Sequence, residues 1–128
     1  MARRSFSESL RFARAGLAWA WRTQGNIRRH AVAAAAALGL AWWLKVPSGE
    51  QALVVLTIGL VIVAELINTA VEATVDLYKR SYHPLAGTAK DVAAAAVLVA
   101  ALVAVVVGLI VFGPPLARLF FDLAGDGL

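Results

Sequence analysis

From Val92 to Phe112 the chain passes through twenty-one consecutive residues drawn only from Ala, Val, Leu, Ile, Gly and Phe. As a helix rising 1.5 Å per residue, such a run matches the ~30 Å hydrocarbon core of a bilayer. Composition agrees: 61% of the 128 residues are hydrophobic and only 16% charged. A soluble domain would be about half apolar and about a quarter charged. The length allows one domain, and this one belongs in a membrane. Without cysteine, disulfide scaffolds and thiolate metal sites are excluded. A metal would have to be a hard cation held by oxygen, with Mg²⁺ the leading candidate.

Three spans are read in all. The first covers about 30–46 and ends in the aromatic pair Trp42-Trp43; the second covers 51–78, after a turn at Pro47-Ser48-Gly49. The third covers 91–113, where Pro114-Pro115 is expected to stop the helix. Residues 114–128 are left as a short outer-side tail, with Leu119-Phe120-Phe121 and Asp122 suited to an interfacial helix. Seven of the twelve basic residues precede position 30, and Lys79, Arg80 and Lys90 share one later loop. By the positive-inside rule the N-terminus and the 78–90 loop face the cytoplasm, and the Pro47 turn and the C-terminus face out. The net charge of +4 therefore reflects membrane orientation and not nucleic-acid binding. Arg3-Arg4-Ser5-Phe6 only faintly resembles an export signal, so the first span is read as an uncleaved anchor.

Residues 5–24 carry a different pattern. At ~100° per residue, Phe6, Leu10, Ala13, Leu17 and Trp21 fall on one stripe, with Arg4, Arg11 and Arg22 roughly opposite. A basic amphipathic helix beside a span lies most simply in the headgroup plane. There Arg11 or Arg14 could hold a lipid headgroup or touch a bound phosphate. Trp19, Trp21, Trp42 and Trp43 read as interfacial anchors, and His30 as a boundary residue. Ala96, Ala100, Ala104 and Gly108 in the third span, and Ala33, Ala37 and Ala41 in the first, predict close helix contacts.

The second span carries the chemistry. Residues 52–64 are apolar apart from Thr57, and then Glu65, Asn68, Glu72 and Asp76 follow at spacings of 3, 4 and 4. That spacing confines all four to ~80° of one helix face. A helix over 51–78 is ~42 Å long, so its lower part must emerge toward the cytoplasmic headgroups, with Glu65 deeper than Asp76. Each intramembrane acid costs roughly 2.5–3.5 kcal/mol, so these side chains must line a polar site and not face lipid. The acids could instead lock the bundle by pairing with Arg28, Arg29 or Lys90, but the spans themselves hold no basic partner. An ion or proton pathway would need polar groups through the other half of the membrane, which 52–64 does not offer.

A one-sided acidic face suits Mg²⁺ carrying nucleotide phosphates, and a carboxylate at headgroup depth can act as general base toward a lipid hydroxyl. Lys90, placed just before the third span, could neutralise phosphate charge beside a helix N-terminus. Neither G-x-x-x-x-G-K-[ST] nor G-x-G-x-x-G occurs, so any phosphoryl transfer here would dispense with a soluble nucleotide-binding fold.

The segment Ala64-Glu-Leu-Ile-Asn-Thr-Ala-Val-Glu-Ala-Thr-Val-Asp76, followed by Tyr82-His-Pro-Leu-Ala-Gly-Thr-Ala-Lys-Asp91, closely resembles the prokaryotic diacylglycerol kinase/undecaprenol kinase family. The shared pattern is E-x-x-N-[ST]-A-x-E-x-x-x-D and then Y-H-x-L-x-x-x-A-K-D, and the likeness runs from about Phe6 to Phe112. The resemblance implies an all-α homotrimer of three-span subunits, each with an N-terminal surface helix, the kinase domain occupying 1–113. It further implies a multi-pass protein of the bacterial plasma membrane, with composite active sites between chains on the cytoplasmic side. The γ-phosphate of ATP, bound with Mg²⁺, passes to a lipid alcohol. By motif position Glu65 is the general base, Glu72 a metal ligand, and Asn68 a phosphate contact. Tyr82 and His83 lie along the nucleotide, Lys90 and Asp91 contact phosphates and ribose or metal, and Asp76 supports the nucleotide loop.

Gln24 departs from the family's pattern. It stands in Thr23-Gln24-Gly25-Asn26 where the family usually has a metal-binding glutamate, and it offers a carbonyl oxygen without charge. Leu17 likewise stands where diacylglycerol kinases tend to carry tyrosine. His83-Pro-Leu-Ala86, and Ala94 where those kinases tend to carry serine, resemble the undecaprenol kinases more. Undecaprenol is accordingly the expected substrate, diacylglycerol the alternative, and a non-catalytic membrane protein or ion pathway the reading of another class.

Overall fold

The computed structural model describes residues 5–77 and 83–125, and the regular elements among them are all helices. They are α1 (Phe6–Thr23), α2 (Gly25–Trp43), α3 (Ser48–Asp76) and α4 (Pro84–Gly125). Tyr82, expected along the nucleotide, lies outside the described residues.

Helix α1 starts where Ser5 and Glu8 satisfy each other's backbone: the Ser5 hydroxyl accepts from the Glu8 N–H, and the Glu8 carboxylate accepts from the Ser5 N–H. The amphipathic reading of 5–24 holds to within a residue at each end. Its stripe finds no cover within the chain, with Phe6 84% and Leu10 51% exposed, and only Ala20 is buried. Gln24 is the single residue between α1 and α2. Extended at φ −108° and ψ 108°, it closes one helix and opens the next.

Helix α2 ends at Trp43, earlier than the expected 46, and the turn lies at 44–46 and not at Pro47-Ser48-Gly49. The Val46 N–H donates to Ala41 O at 3.0 Å and the Lys45 N–H to Trp42 O at 3.2 Å, while Lys45 takes φ 53°. This is the paired end-bond pattern of a left-handed helix stop, with a lysine where glycine is usual. Val46 and Ala41, which bracket that turn, enter the buried cluster with Val54 and Val111. Pro47 then caps α3, since its fixed φ and missing N–H suit that position, and Gly49 is an ordinary helical residue.

Two more boundaries depart from expectation. Helix α4 begins at Pro84 and not Asp91, so Lys90 and Asp91 sit well inside it, ~9 Å beyond its N-terminus. It also continues through Pro114-Pro115 to Gly125, for 42 residues, so the tail extends α4 and forms no separate interfacial helix. Proline's fixed φ is itself helical. Gly113 presents no Cβ to the Cδ of Pro114, which eases the first proline; Pro115, preceded by Pro114, has no such relief. The strong helix formers in Leu116-Ala117-Arg118-Leu119 then resume the backbone bonds.

The helices α2, α3 and α4 pack antiparallel in order, α3 lying between the others. The buried line on α4 runs through Ala93, Ala100 and Val111, with Ala104 and Gly108 half-buried. The expected small-residue contact face is thus present, but rotated so that Ala96 is exposed; in α2, Ala41 is buried and Ala37 packs on the core while Ala33 is exposed. Two helices, α3 and α4, are long and apolar enough to cross a membrane. Helix α2 differs because Arg28, Arg29 and His30 occupy its first turns, leaving an apolar stretch from Ala31 to Trp43 of only ~20 Å. The accessible surface, 9870 Å², far exceeds the ~6500 Å² of a compact soluble chain of this mass. Large side chains such as Leu98, Leu109 and Ile110 make up much of the excess, so this chain needs an apolar surrounding.

Candidate functional site

The face of α3 turned toward the other helices changes character along its length. Val54 and Val61 are buried in its first half; Glu65, Asn68 and Thr69 are buried in its second. Beyond them Glu72 is half-buried and Asp76 exposed. The four polar residues read from the sequence therefore share a face that passes from interior to surface over about 16 Å.

Each has a distinct environment. Glu65 is 2% exposed, and its Oε1 lies 3.0 Å from His30 Nε2 of α2. Sequence reasoning missed this pair, taking His30 as a boundary residue and the spans as devoid of basic partners. No linear signal joins positions 30 and 65; only the antiparallel register that also gathers Ala41 and Val54 makes them neighbours. Asn68 donates from Nδ2 to Glu72 Oε1 at 3.1 Å, while its Oδ1 is buried without a hydrogen-bond partner. Asp76 Oδ1 accepts from Lys90 Nζ at 3.0 Å, joining α3 to α4. The register set by that pair and by Val54 with Val111 places Ala93 level with Glu72 and Ala100 level with Glu65. Both alanines are buried, and their size lets α4 approach the polar face closely.

Among the described residues, the bundle-locking alternative is realised at Lys90 and at neither Arg28 nor Arg29. Arg28 donates to the Trp21 carbonyl and Arg29 to Asn26 Oδ1. His83 precedes α4 and accepts the Leu85 N–H on Nδ1 at 3.2 Å, a turn histidine holding the start of that helix. Asp91 and Ala94 are exposed on α4, and Arg11 is exposed on α1 with its guanidinium 5.2 Å from the Phe12 ring centre. Gln24 is half-buried between α1 and α2 and makes no side-chain cap to either helix. A half-open, mainly apolar cavity of about 160 Å³ lies between α2, α3 and α4, with His30 at its polar end and Ala37, Thr57, Val107 and Phe112 along it.

Among the described residues, no three His, Cys, Asp or Glu side chains converge on one point. The donor set nonetheless suits a magnesium ion, which retains waters and needs one or two carboxylates when phosphates supply the rest. Glu72 is a half-exposed carboxylate, and Asn68 Oδ1 beside it is a buried acceptor lacking a donor.

The chain is similar to known proteins over most of its length. The model of the prokaryotic diacylglycerol kinase family matches residues 11–112. A diacylglycerol kinase of Synechocystis is 46% identical over 112 residues, covering 87% of this chain and 64% of that protein. The diacylglycerol kinase of Escherichia coli K12 is 41% identical over 91 residues, covering 71% and 75% respectively. The undecaprenol kinase of Bacillus subtilis is 43% identical over 95 residues, covering 74% and 77%. The chain thus spans somewhat less than two thirds of the Synechocystis relative and about three quarters of the other two.

Proposed function

The chain belongs to the prokaryotic diacylglycerol kinase family, and from that premise we propose that it transfers the γ-phosphate of ATP to the hydroxyl of undecaprenol at the cytoplasmic face of the membrane. The observation that carries the reading is the graded polar face of α3. It offers a buried carboxylate at Glu65, a half-exposed one at Glu72 and an exposed end at Asp76, open to one side only.

In this reading Glu65 takes the proton from the lipid hydroxyl as its oxygen attacks phosphorus, and the bond to the leaving ADP oxygen breaks. Buried between apolar neighbours, it meets the lipid and not bulk water. Lys90 turns from Asp76 to the phosphates and offsets the charge on the transferring group. Asn68, Asp91 and His83 orient the nucleotide, with Tyr82 and Asp76 supporting it and Arg11 of α1 as an outlying phosphate contact. Glu72 and the Gln24 carbonyl are the residues to hold magnesium, which when bound supplies positive charge to the phosphate oxygens. Here α2 serves as a third span: its 19 residues measure ~28 Å, and arginines at its end can extend to the headgroups. The chain assembles as a homotrimer in the bacterial plasma membrane, α1 lying on the inner surface. The uncovered apolar faces of α1 and α4 support that arrangement.

Undecaprenol is preferred because His83-Pro-Leu-Ala86 and Ala94 follow the undecaprenol kinase pattern. Diacylglycerol stands as the second reading, favoured by the 46% identity to a protein named diacylglycerol kinase. Transfer of labelled γ-phosphate from ATP to each lipid in mixed micelles with Mg²⁺ decides between them. Product with undecaprenol that disappears in Glu65→Gln is the expected result. Product with diacylglycerol alone replaces the acceptor, and product with neither refutes the kinase reading.

A further inference from the structure

Glu65 is a carboxylate held 3% exposed at its side chain, and among the described residues its one hydrogen-bond partner is His30. We propose that His30 is the positioning residue of the phosphoryl-transfer reaction: its Nε2 anchors Oε1 of Glu65, so that Oε2 is the oxygen presented to the lipid hydroxyl. The inference rests on Glu65 being the base.

The physical need is specific. The terminal torsion of a glutamate is broad and roughly two-fold, so an unanchored carboxylate offers either oxygen over a range of directions. A general base must bring a lone pair within ~2.6–3.2 Å of the proton it takes, and small misplacement is costly in rate. The backbone alone does not set that direction, because Glu65 sits on α3 without a bond to its own helix. His30 reaches it from α2, the helix whose Ile27 and Ala41 are buried, with its own side chain 28% exposed. His30 also stands where the apolar cavity ends, with Val61 and Ile62 beside it. An alkyl chain entering there would carry its polar end to the side of Glu65 that His30 leaves open. A purely structural account explains the bond as relief for a buried carboxylate. It does not require the bond to matter in the transition state.

Three variants separate the possibilities: His30→Ala, His30→Gln, which keeps an N–H donor near the Nε2 position, and Glu65→Gln. Each is purified in detergent and assayed with varied lipid alcohol and varied MgATP, alongside thermal unfolding. In His30→Ala, kcat is expected to fall by about 10–100-fold while both KM values stay within about twofold, the signature of an interaction made in the transition state. His30→Gln is expected to recover about a third or more of wild-type kcat. Unchanged kcat in His30→Ala beside an inactive Glu65→Gln overturns the role of His30 and leaves the base in place. An active Glu65→Gln overturns the base itself. A fall in kcat that follows loss of thermal stability, or that His30→Gln fails to restore, also overturns the positioning role.

Discussion

The Lys90–Asp76 pair can be assigned by magnitude. The two side chains are 35% and 41% exposed and 3.0 Å apart, so the attraction is screened and the pair is expected to contribute at most ~1 kcal/mol to stability. Replacing Lys90 by Gln, Asp76 by Asn, and both together forms a double-mutant cycle. A structural tie predicts small and coupled losses, with the double variant no worse than either single one. A lysine that leaves Asp76 to meet phosphate predicts something else: Lys90→Gln loses ~10²–10³ in kcat, equivalent to ~2.7–4 kcal/mol of transition-state stabilisation, several times the energy of the ion pair. Thermal unfolding in detergent gives the first quantity, and steady-state phosphate transfer gives the second. Activity restored in the double variant, or an activity loss no larger than the stability loss, would refute the phosphate role.

Two further outcomes are expected. Gln24→Glu puts a charged oxygen donor where Gln24 has a neutral one, and should lower the Mg²⁺ concentration for half-maximal activity by about fivefold or more, given the hard-cation preference for carboxylate; an unchanged Mg²⁺ titration would remove position 24 from the metal site. Lys45→Gly relieves a non-glycine residue at φ 53°, and should stabilise the chain by ~0.5–1 kcal/mol after glycine's greater chain entropy is deducted. A lower melting temperature would show that the Lys45 side chain contributes more than the strained backbone costs.

The sequence made some features plain and concealed others for identifiable reasons. Helical periodicity located α1 to within a residue at each end, because an amphipathic pattern acts locally. Spacings of 3, 4 and 4 put Glu65, Asn68, Glu72 and Asp76 on one face for the same reason. The partner of Glu65 was hidden, since positions 30 and 65 meet only through packing of two helices. The ends of α4 were misjudged where a local rule yields to context. Proline is expected to break the helix, but α4 runs on through Pro114-Pro115, with Gly113 easing only the first of the two. The left-handed turn at Lys45 was missed because lysine carries no signal for that conformation, and the nearby Pro-Ser-Gly run carries a strong but misleading one. Membrane character was legible from composition alone, while the arginines in the first turns of α2 blur how many helices cross.

The buried cluster of Ala41, Val46, Val54 and Val111 lies at one end of the three packed helices, beside the tight connection between α2 and α3. At the far end the helices meet through two polar bridges, His30 with Glu65 and Lys90 with Asp76. The molecule is built like a pair of tongs, riveted in grease at one end and joined at the other by one sheltered polar bridge and one that solvent reaches. The polar jaws, and not the rivet, carry the side chains proposed for the chemistry. Substitutions at the rivet should therefore change how long the tool survives, and substitutions at the jaws should change what it grips.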